Sequence, residues 1–404
     1  MSTFWKTKIP QIMVLFFLLT LDFALSSAAT NNSANDSNEK RWAVFTGDGH
    51  AGDCQCQGDD LRCVQRLGQW DPWGEYRCSY SHERRHGLAD KHAPAHLMGD
   101  HVHDQGEWMV EYKYMSMAMA GNRSGTENLS TAAAFGFSGT NMLVAPTNMT
   151  MEMHMVHVMY GLRDNITAYL MPTWKSLTMD HMRNSTFMPN PPLAGTPFRT
   201  HNSGFGDLVF GALIRLYEGC DEELIFNLGM SVPTGDIDRR TTIPTGGMMN
   251  QEFPYPMRLG AGTFNARPGL TYKVYQDHGS FGLQYQTDLP VGTNSENYSV
   301  STEHRLNAWY SWLPWDNLSF SYRVESLWKS DYNGADPDLP PFIISTNRPD
   351  MRGGEWVNFG YGAALLVGQG HLLNAEFVHP VYQSVNGIQL ANDWSLCVSW
   401  SKAF

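Results

Sequence analysis

The sequence predicts an all-β fold, a transmembrane antiparallel β-barrel of about 12 strands preceded by a short loop-rich segment containing cysteine and histidine, and three observations predict it. From Gly106 onward, apolar and polar side chains alternate in twelve separate stretches, the period of a strand with one greasy and one wet face. The connections between them alternate in length, short turns after every even stretch but the last and longer loops after the odd ones, as in outer-membrane barrels. After residue 30 no apolar run reaches the roughly 18 residues of a spanning helix, so any crossing falls to strands.

Composition is compatible without being decisive. A hydrophobic content of 42% with 12% aromatic residues fits apolar side chains spread at alternate positions, a signature that soluble sandwiches share. The net charge of -12 argues against a nucleic-acid partner, which calls for a basic patch, and is compatible with a cation-attracting lumen.

In chain order, Lys6 and Lys8 precede an apolar stretch from Ile12 to Leu25, broken only by Thr20 and Asp22 and followed by Ser26, Ser27, Ala28 and Ala29. That is a secretory signal cut after Ala28 or Ala29, and it sets the expected organisation: residues 1–29 signal peptide, 30–105 periplasmic segment, 106–404 barrel in the outer membrane of a Gram-negative bacterium. Residues 41–105 hold four of the six cysteines and seven of the fifteen histidines. Cys54, Cys56, Cys63 and Cys78 admit two readings, a pair of disulfides with three possible pairings or a site for copper or zinc shared with nearby histidines. Asp100-His101-Val102-His103-Asp104 puts both imidazoles on one side if extended, and with His181 these are the histidine candidates for metal.

The expected strands are 107–119, 149–160, 166–179, 204–217, 223–233, 263–277, 280–290, 299–313, 318–330, 355–367, 371–382 and 393–404. Their faces separate cleanly: Leu318, Phe320, Tyr322, Val324 and Trp328 oppose Ser319, Ser321, Arg323 and Glu325, and Leu208, Phe210, Ala212, Ile214 and Leu216 oppose Asp207, Val209, Gly211 and Arg215. Lipid takes the first set and a wet interior the second. Tyr160, Trp174, Trp309, Trp312, Trp315, Trp328 and Trp400 lie near strand ends and suit interfacial girdles. The final strand, with Trp394, Leu396, Val398 and Trp400 on one face and Phe404 closing it, is expected to pair with the first and set Ser395, Cys397 and Ser399 beside its wall. One long loop, 120–148 or 234–262, is a candidate to fold inward.

The least usual feature is a methionine ladder. Met109, Met115, Met117 and Met119 share one face of the first strand, and Met149, Met151, Met153, Met155, His157 and Met159 share one face of the second, with Met171 extending the surface from the third. Pointed inward, the two rows meet across neighbouring strands. Thioether and imidazole suit soft metal ions, whereas packing or an apolar lining for aromatic solutes needs only their shape. Asp207, Arg215, Glu303, Arg305, Arg323, Glu325 and Glu376 are the inward charges, fit for ion pairs or for charge selection in a pore. No G-x-S-x-G elbow is present, and His304 falls on an outward face without a serine in register, so an enzyme is not expected.

Several runs carry a resemblance: Ala93-Pro94-Ala95-His96-Leu97-Met98-Gly99-Asp100-His101-Val102-His103, Gly106-Glu107-Trp108-Met109, Met149-Thr150-Met151-Glu152-Met153-His154-Met155, Met179-Asp180-His181-Met182, Ser203-Gly204-Phe205-Gly206-Asp207-Leu208 and Leu259-Gly260-Ala261-Gly262-Thr263. Over residues 93–404 the chain resembles the Met- and His-rich members of an outer-membrane transporter family named for the meta-pathway of phenol degradation. The resemblance implies a barrel that lets small molecules cross the outer membrane, with lipid as its surroundings. It does not extend to the cysteines at 54–78.

Overall fold

The computed structural model describes residues 87–136, 141–184, 195–219, 221–244, 248–368 and 370–404. The cysteines at 54–78 and the signal lie outside them. The strands are β1 Trp108–Gly125, β2 Glu127–Leu129, β3 Val144–Arg163, β4 Ile166–Met171, β5 Thr173–Arg183 and β6 Pro197–Phe205. They continue with β7 Leu208–Glu218, β8 Glu222–Val232, β9 Arg240–Pro244, β10 Met248–Glu252, β11 Phe264–Gln276 and β12 Gly279–Val291. The last are β13 Tyr298–Ser299, β14 Glu303–Trp315, β15 Leu318–Lys329, β16 Asn333–Gly334, β17 Gly354–Val367 and β18 His371–Ala403. A five-residue helix, Thr131–Phe135, starts at Ser130, whose hydroxyl accepts from the Ala133 N–H.

Antiparallel pairing runs from β1 through β18, β17, β15, β14, β12, β11, β8, β7, β4 and β3 back to β1, so the sheet closes through 11 strands and those edges are paired away. Strands β2, β5 and β6 lie outside that ring. β4 and β5 are two halves of one crossing parted at Pro172, which has no N–H to give the ladder; β6 and β7 are likewise parted at Gly206 and Asp207. β18 is 33 residues long, on the order of 110 Å if it were one extended strand. It folds back instead at Gly387, whose φ of 60° suits glycine. Gln383 Nε2 donates to the Asn392 carbonyl (2.8 Å), the Asn392 N–H donates to Gln383 Oε1 (2.9 Å), and His371 stacks on Trp400 at 5.7 Å. The wall is thus crossed by about twelve segments, each overlapping one of the twelve stretches expected from alternation, the eighth starting at Glu303 rather than 299.

The last strand pairs with the first, as expected. Met109, Met115 and Met117 face Ala403, Cys397 and Ser395, and Trp108 and Phe404 exchange backbone hydrogen bonds of 2.9 and 2.8 Å. Several crossings run further than alternation suggests at the end bearing long loops: β3 starts at Val144 rather than 149, and the third crossing ends at Arg183 rather than 179.

The outside is an apolar belt: Tyr112, Val156, Leu170, Trp174, Phe210, Leu228, Leu270, Tyr310, Phe320, Tyr361, Leu373, Phe377 and Val398 are all exposed. Polar groups on this face are covered by tyrosines of the next strand. Tyr114 Oη donates to Glu152 (2.8 Å), and the hydroxyls of Tyr112 and Tyr285 bond His154 (2.7 Å) and His304 (2.8 Å). Among the described residues no helix is long and apolar enough to cross a membrane, which says nothing against strands. Trp309 departs from the expected girdle. It is 2% exposed and points inward with Asn307 and Ser311, against Ala93 and Leu97. Its indole lies over Gly282, where a Cβ would come within 2.0 Å of the ring, so only glycine leaves room.

Candidate functional site

The interior is not empty: residues 88–105 thread through it. Asn374 Nδ2, Lys113 Nζ and Gln284 Nε2 donate to the carbonyls of Ala93 (3.0 Å), Leu97 (3.2 Å) and Met98 (2.8 Å). Ser280 Oγ, Lys273 Nζ, Cys397 Sγ and Thr271 Oγ1 serve Asp90 (2.7 Å), Lys91 (2.8 Å), Ala95 (3.3 Å) and Gly99 (3.1 Å). These donors come from strands around the ring, which is what an irregular chain needs when it has no strand partner of its own. Residues 88–105 thus lie against the inner wall of the barrel. The segment lies near the short turns, for the Ala89 N–H donates to the Asp316 carbonyl between β14 and β15 (2.9 Å), and the Gly106 N–H to that of Gly161 at the end of β3 (2.8 Å).

The inward charges are joined in networks. Arg323, 2% exposed, bonds Glu376 (2.6 Å), Glu325 (2.8 Å) and Asn307 (2.7 Å), and Glu376 also takes the His96 ring at 2.9 Å. Glu303 pairs with Arg305 (2.8 Å) and Lys329 (2.6 Å), and Arg305 reaches Glu325 at 3.9 Å. Arg215 meets Glu218 (3.2 Å) and Glu223 (3.7 Å), and Lys273 meets Glu223 (3.0 Å). Asp207 does different work, since its carboxylate accepts from the N–H groups of Gly235 (2.9 Å) and Ala261 (2.7 Å) and pins the loop 234–262 to the wall.

The methionine rows meet in register: Met109 faces Met159, Met115 faces Met153, Met117 faces Met151 and Met119 faces Met149. Met155, Met171 and Val209 form one buried cluster, joined by Met115, Met153 and, from the threaded segment, Met98. Met109 and Met159 pack on Val102. Nearer the long loops, Met149 and Met179 pack under Phe253, Met257 and Leu259, with Met119 and Met151 beside them. The stretch 253–259 thus folds inward, from one of the two loops considered. His157 lies 3.5 Å from Glu111 and edge-on to Tyr169.

The metal candidates separate. His101 and His103 are neighbours, ring centroids 4.9 Å apart, while His181 stacks on Phe198 at 4.7 Å on β5. The structure adds His92, whose ring lies 4.6 Å from His101, and Asp100; ligand atoms of His92, Asp100 and His101 lie within 4.8 Å of one another. Burial pushes the His92 imidazole well below its usual range, and His101 adds to the effect. Burial would raise the Asp100 carboxyl, yet the charge and hydrogen bond of His101 hold it well below. Glu107 is held at about 2, first by its hydrogen bond with His103. A second acidic group, Glu252, Glu296 and Asp336, is engaged by Arg258, which pairs with both Glu252 (3.0 Å) and Asp336. Sequence reasoning could not single out Met98 or Asp100, because both serve the site only once the segment is inside.

Comparison with solved structures returns barrels. An outer membrane channel from Pseudomonas putida F1 superposes with a TM-score of 0.50 at 13% identity, covering 75% of this chain and 97% of that one. The transport unit of an autotransporter from Escherichia coli gives 0.43 at 11% identity, covering 83% and 100%. The β domain of a Bordetella autotransporter gives 0.41 at 12%, covering 74% and 100%. No protein-family model matches the chain, and no curated protein matches it. At such identity the first likeness speaks for the fold, a closed outer-membrane-type barrel.

Proposed function

We propose that this chain is a channel of the Gram-negative outer membrane that passes small solutes, with residues 88–105 seated in its lumen as the constriction. The observation that carries the reading is the closed ring of strands with an apolar belt outside and charges, amides and thioethers inside. Such a wall satisfies its backbone within lipid and keeps polar groups for the interior. The solved channel of like fold supports it, as does the resemblance of residues 93–404 to the meta-pathway transporter family. Short turns of such barrels face the periplasm, so the segment enters from that side.

The wall also narrows the solute. Methionines cover the inner faces of β1 and β3, a flexible apolar surface that accommodates small aromatic molecules of varied shape. Full-length protein reconstituted in liposomes tests the reading, with flux of a small phenol and of a small sugar each measured against protein-free vesicles. Faster entry of the phenol is expected. No added flux of either solute rejects the channel, and sugar passing as readily as the phenol rejects the aromatic preference.

A further inference from the structure

We propose that the threaded segment carries a transition-metal site, in which His92 and His101 hold one copper ion inside the lumen and Asp100 orients the His101 ring. The inference does not depend on what crosses the barrel. Ligand atoms of the three residues already lie within 4.8 Å of one another. His101 Nδ1 is 2.9 Å from Asp100 Oδ1, and since a carboxylate only accepts, that nitrogen carries the hydrogen, which leaves Nε2 to supply the lone pair when the ring gives up its proton to a metal. Nε2 is buried and has no hydrogen-bond partner among the described residues, on a side chain only 9% exposed.

Buried polar atoms left without a partner are uncommon and ask for a ligand. An imidazole oriented by a carboxylate through one nitrogen, with the other left open, is the arrangement that metal-binding histidines adopt. His103 repeats it beside the site: its Nδ1 bonds Glu107 at 3.0 Å, and its Nε2 is likewise buried without a partner among the described residues.

The choice of metal follows from what else lines the space. His92, Asp100 and His101 border a cavity of about 20 Å³ whose wall includes Met98, Met109 and Met159. That volume holds one or two atoms of water size. Imidazole with thioether favours copper over zinc and excludes calcium and magnesium, which want oxygen. Of the lysines nearby, Lys113 is paired with Glu111 (3.5 Å) and Lys273 with Glu223 (3.0 Å), and Lys91 is the cation next to His92. A bound ion would tie the stretch at His92 to the stretch at His101 and hold the segment folded.

Purified full-length protein, its N-terminal cysteines alkylated and any metal stripped, is titrated with copper(I) against a chromophoric chelator and with zinc in parallel. Wild type is expected to hold one copper equivalent that His92→Ala/His101→Ala lacks, while His154→Ala/His304→Ala, on the outer wall, keeps it. Asp100→Asn is expected to weaken binding about 10- to 100-fold. Equal copper stoichiometry and affinity in wild type and His92→Ala/His101→Ala overturns the site, and zinc displacing copper at equal concentration overturns the choice of metal. If circular dichroism shows that the double variant does not fold, His101→Gln replaces it under the same criteria.

Discussion

His96 and Glu376 join the threaded segment to the wall, with the His96 ring nitrogen and backbone N–H both 2.9 Å from Glu376 Oε2. The other oxygen of that carboxylate takes Arg323 at 2.6 Å, so one glutamate on the wall anchors a cation and the segment together.

Glu376→Gln should therefore loosen both. Removing one member of a buried ion pair costs about 3–5 kcal/mol when the partner is stranded, and Arg323 retains Glu325, which places the loss near the lower figure. Thermal unfolding in detergent should show the drop, and liposome flux should rise as the segment loses its tether. A stable variant with unchanged flux would mean that this contact does not hold the constriction.

A covalent tether should act in the opposite sense. Cys397 Sγ reaches the Ala95 carbonyl at 3.3 Å, so Ala95→Cys sets a second thiol beside it, to be joined by oxidation. Oxidised protein should pass solute more slowly than the same sample after reduction, with mass spectrometry confirming the bond. A confirmed bond without effect on flux would place the solute path away from the segment.

The methionines should behave as packing where they are buried. Met155 is 6% exposed among Met171 and Val209, so Met155→Leu should cost less than about 1.5 kcal/mol and Met155→Ala about 2–5 kcal/mol. Denaturant midpoints separate the two. A leucine as damaging as alanine would show that the sulfur contributes something that shape does not.

How much of this was legible in the sequence depends on what period-two alternation encodes. Phe320 and Arg323 differ in facing because one meets lipid and the other the lumen, and the string of residues records that contrast directly. That the last strand closes on the first was legible too, since an even count lets the two pair antiparallel, but the register that sets Cys397 opposite Met115 was not. Beyond the apolar belt the contrast fades, so Pro197–Thr200 did not read as strand. The path of residues 88–105 was not legible, because Asn374, Gln284 and Ser280 suit water as well as they suit a neighbouring carbonyl. Trp309 read as girdle for a related reason: tryptophan at a strand end is ordinarily interfacial, and only Ala93 and Leu97 inside the barrel give it an apolar neighbour there.

Gly282 offers the sharpest test of that inner arrangement. A Cβ at this position would lie 2.0 Å from Cζ2 and 2.3 Å from Cε2 of Trp309, far inside contact, and the indole must shift against Ala93 and Leu97 to admit it. Overpacking of this kind costs about 1–3 kcal/mol, and Gly282→Ala should lower the unfolding midpoint accordingly. Because the strain passes through one ring, Gly282→Ala/Trp309→Leu should be less destabilised than the sum of the single variants. The same strain pushes on the segment, so Gly282→Ala alone should also raise liposome flux. Strict additivity in the double-mutant cycle would mean that Trp309 does not bear on Gly282, and that the ring is not lodged against the segment.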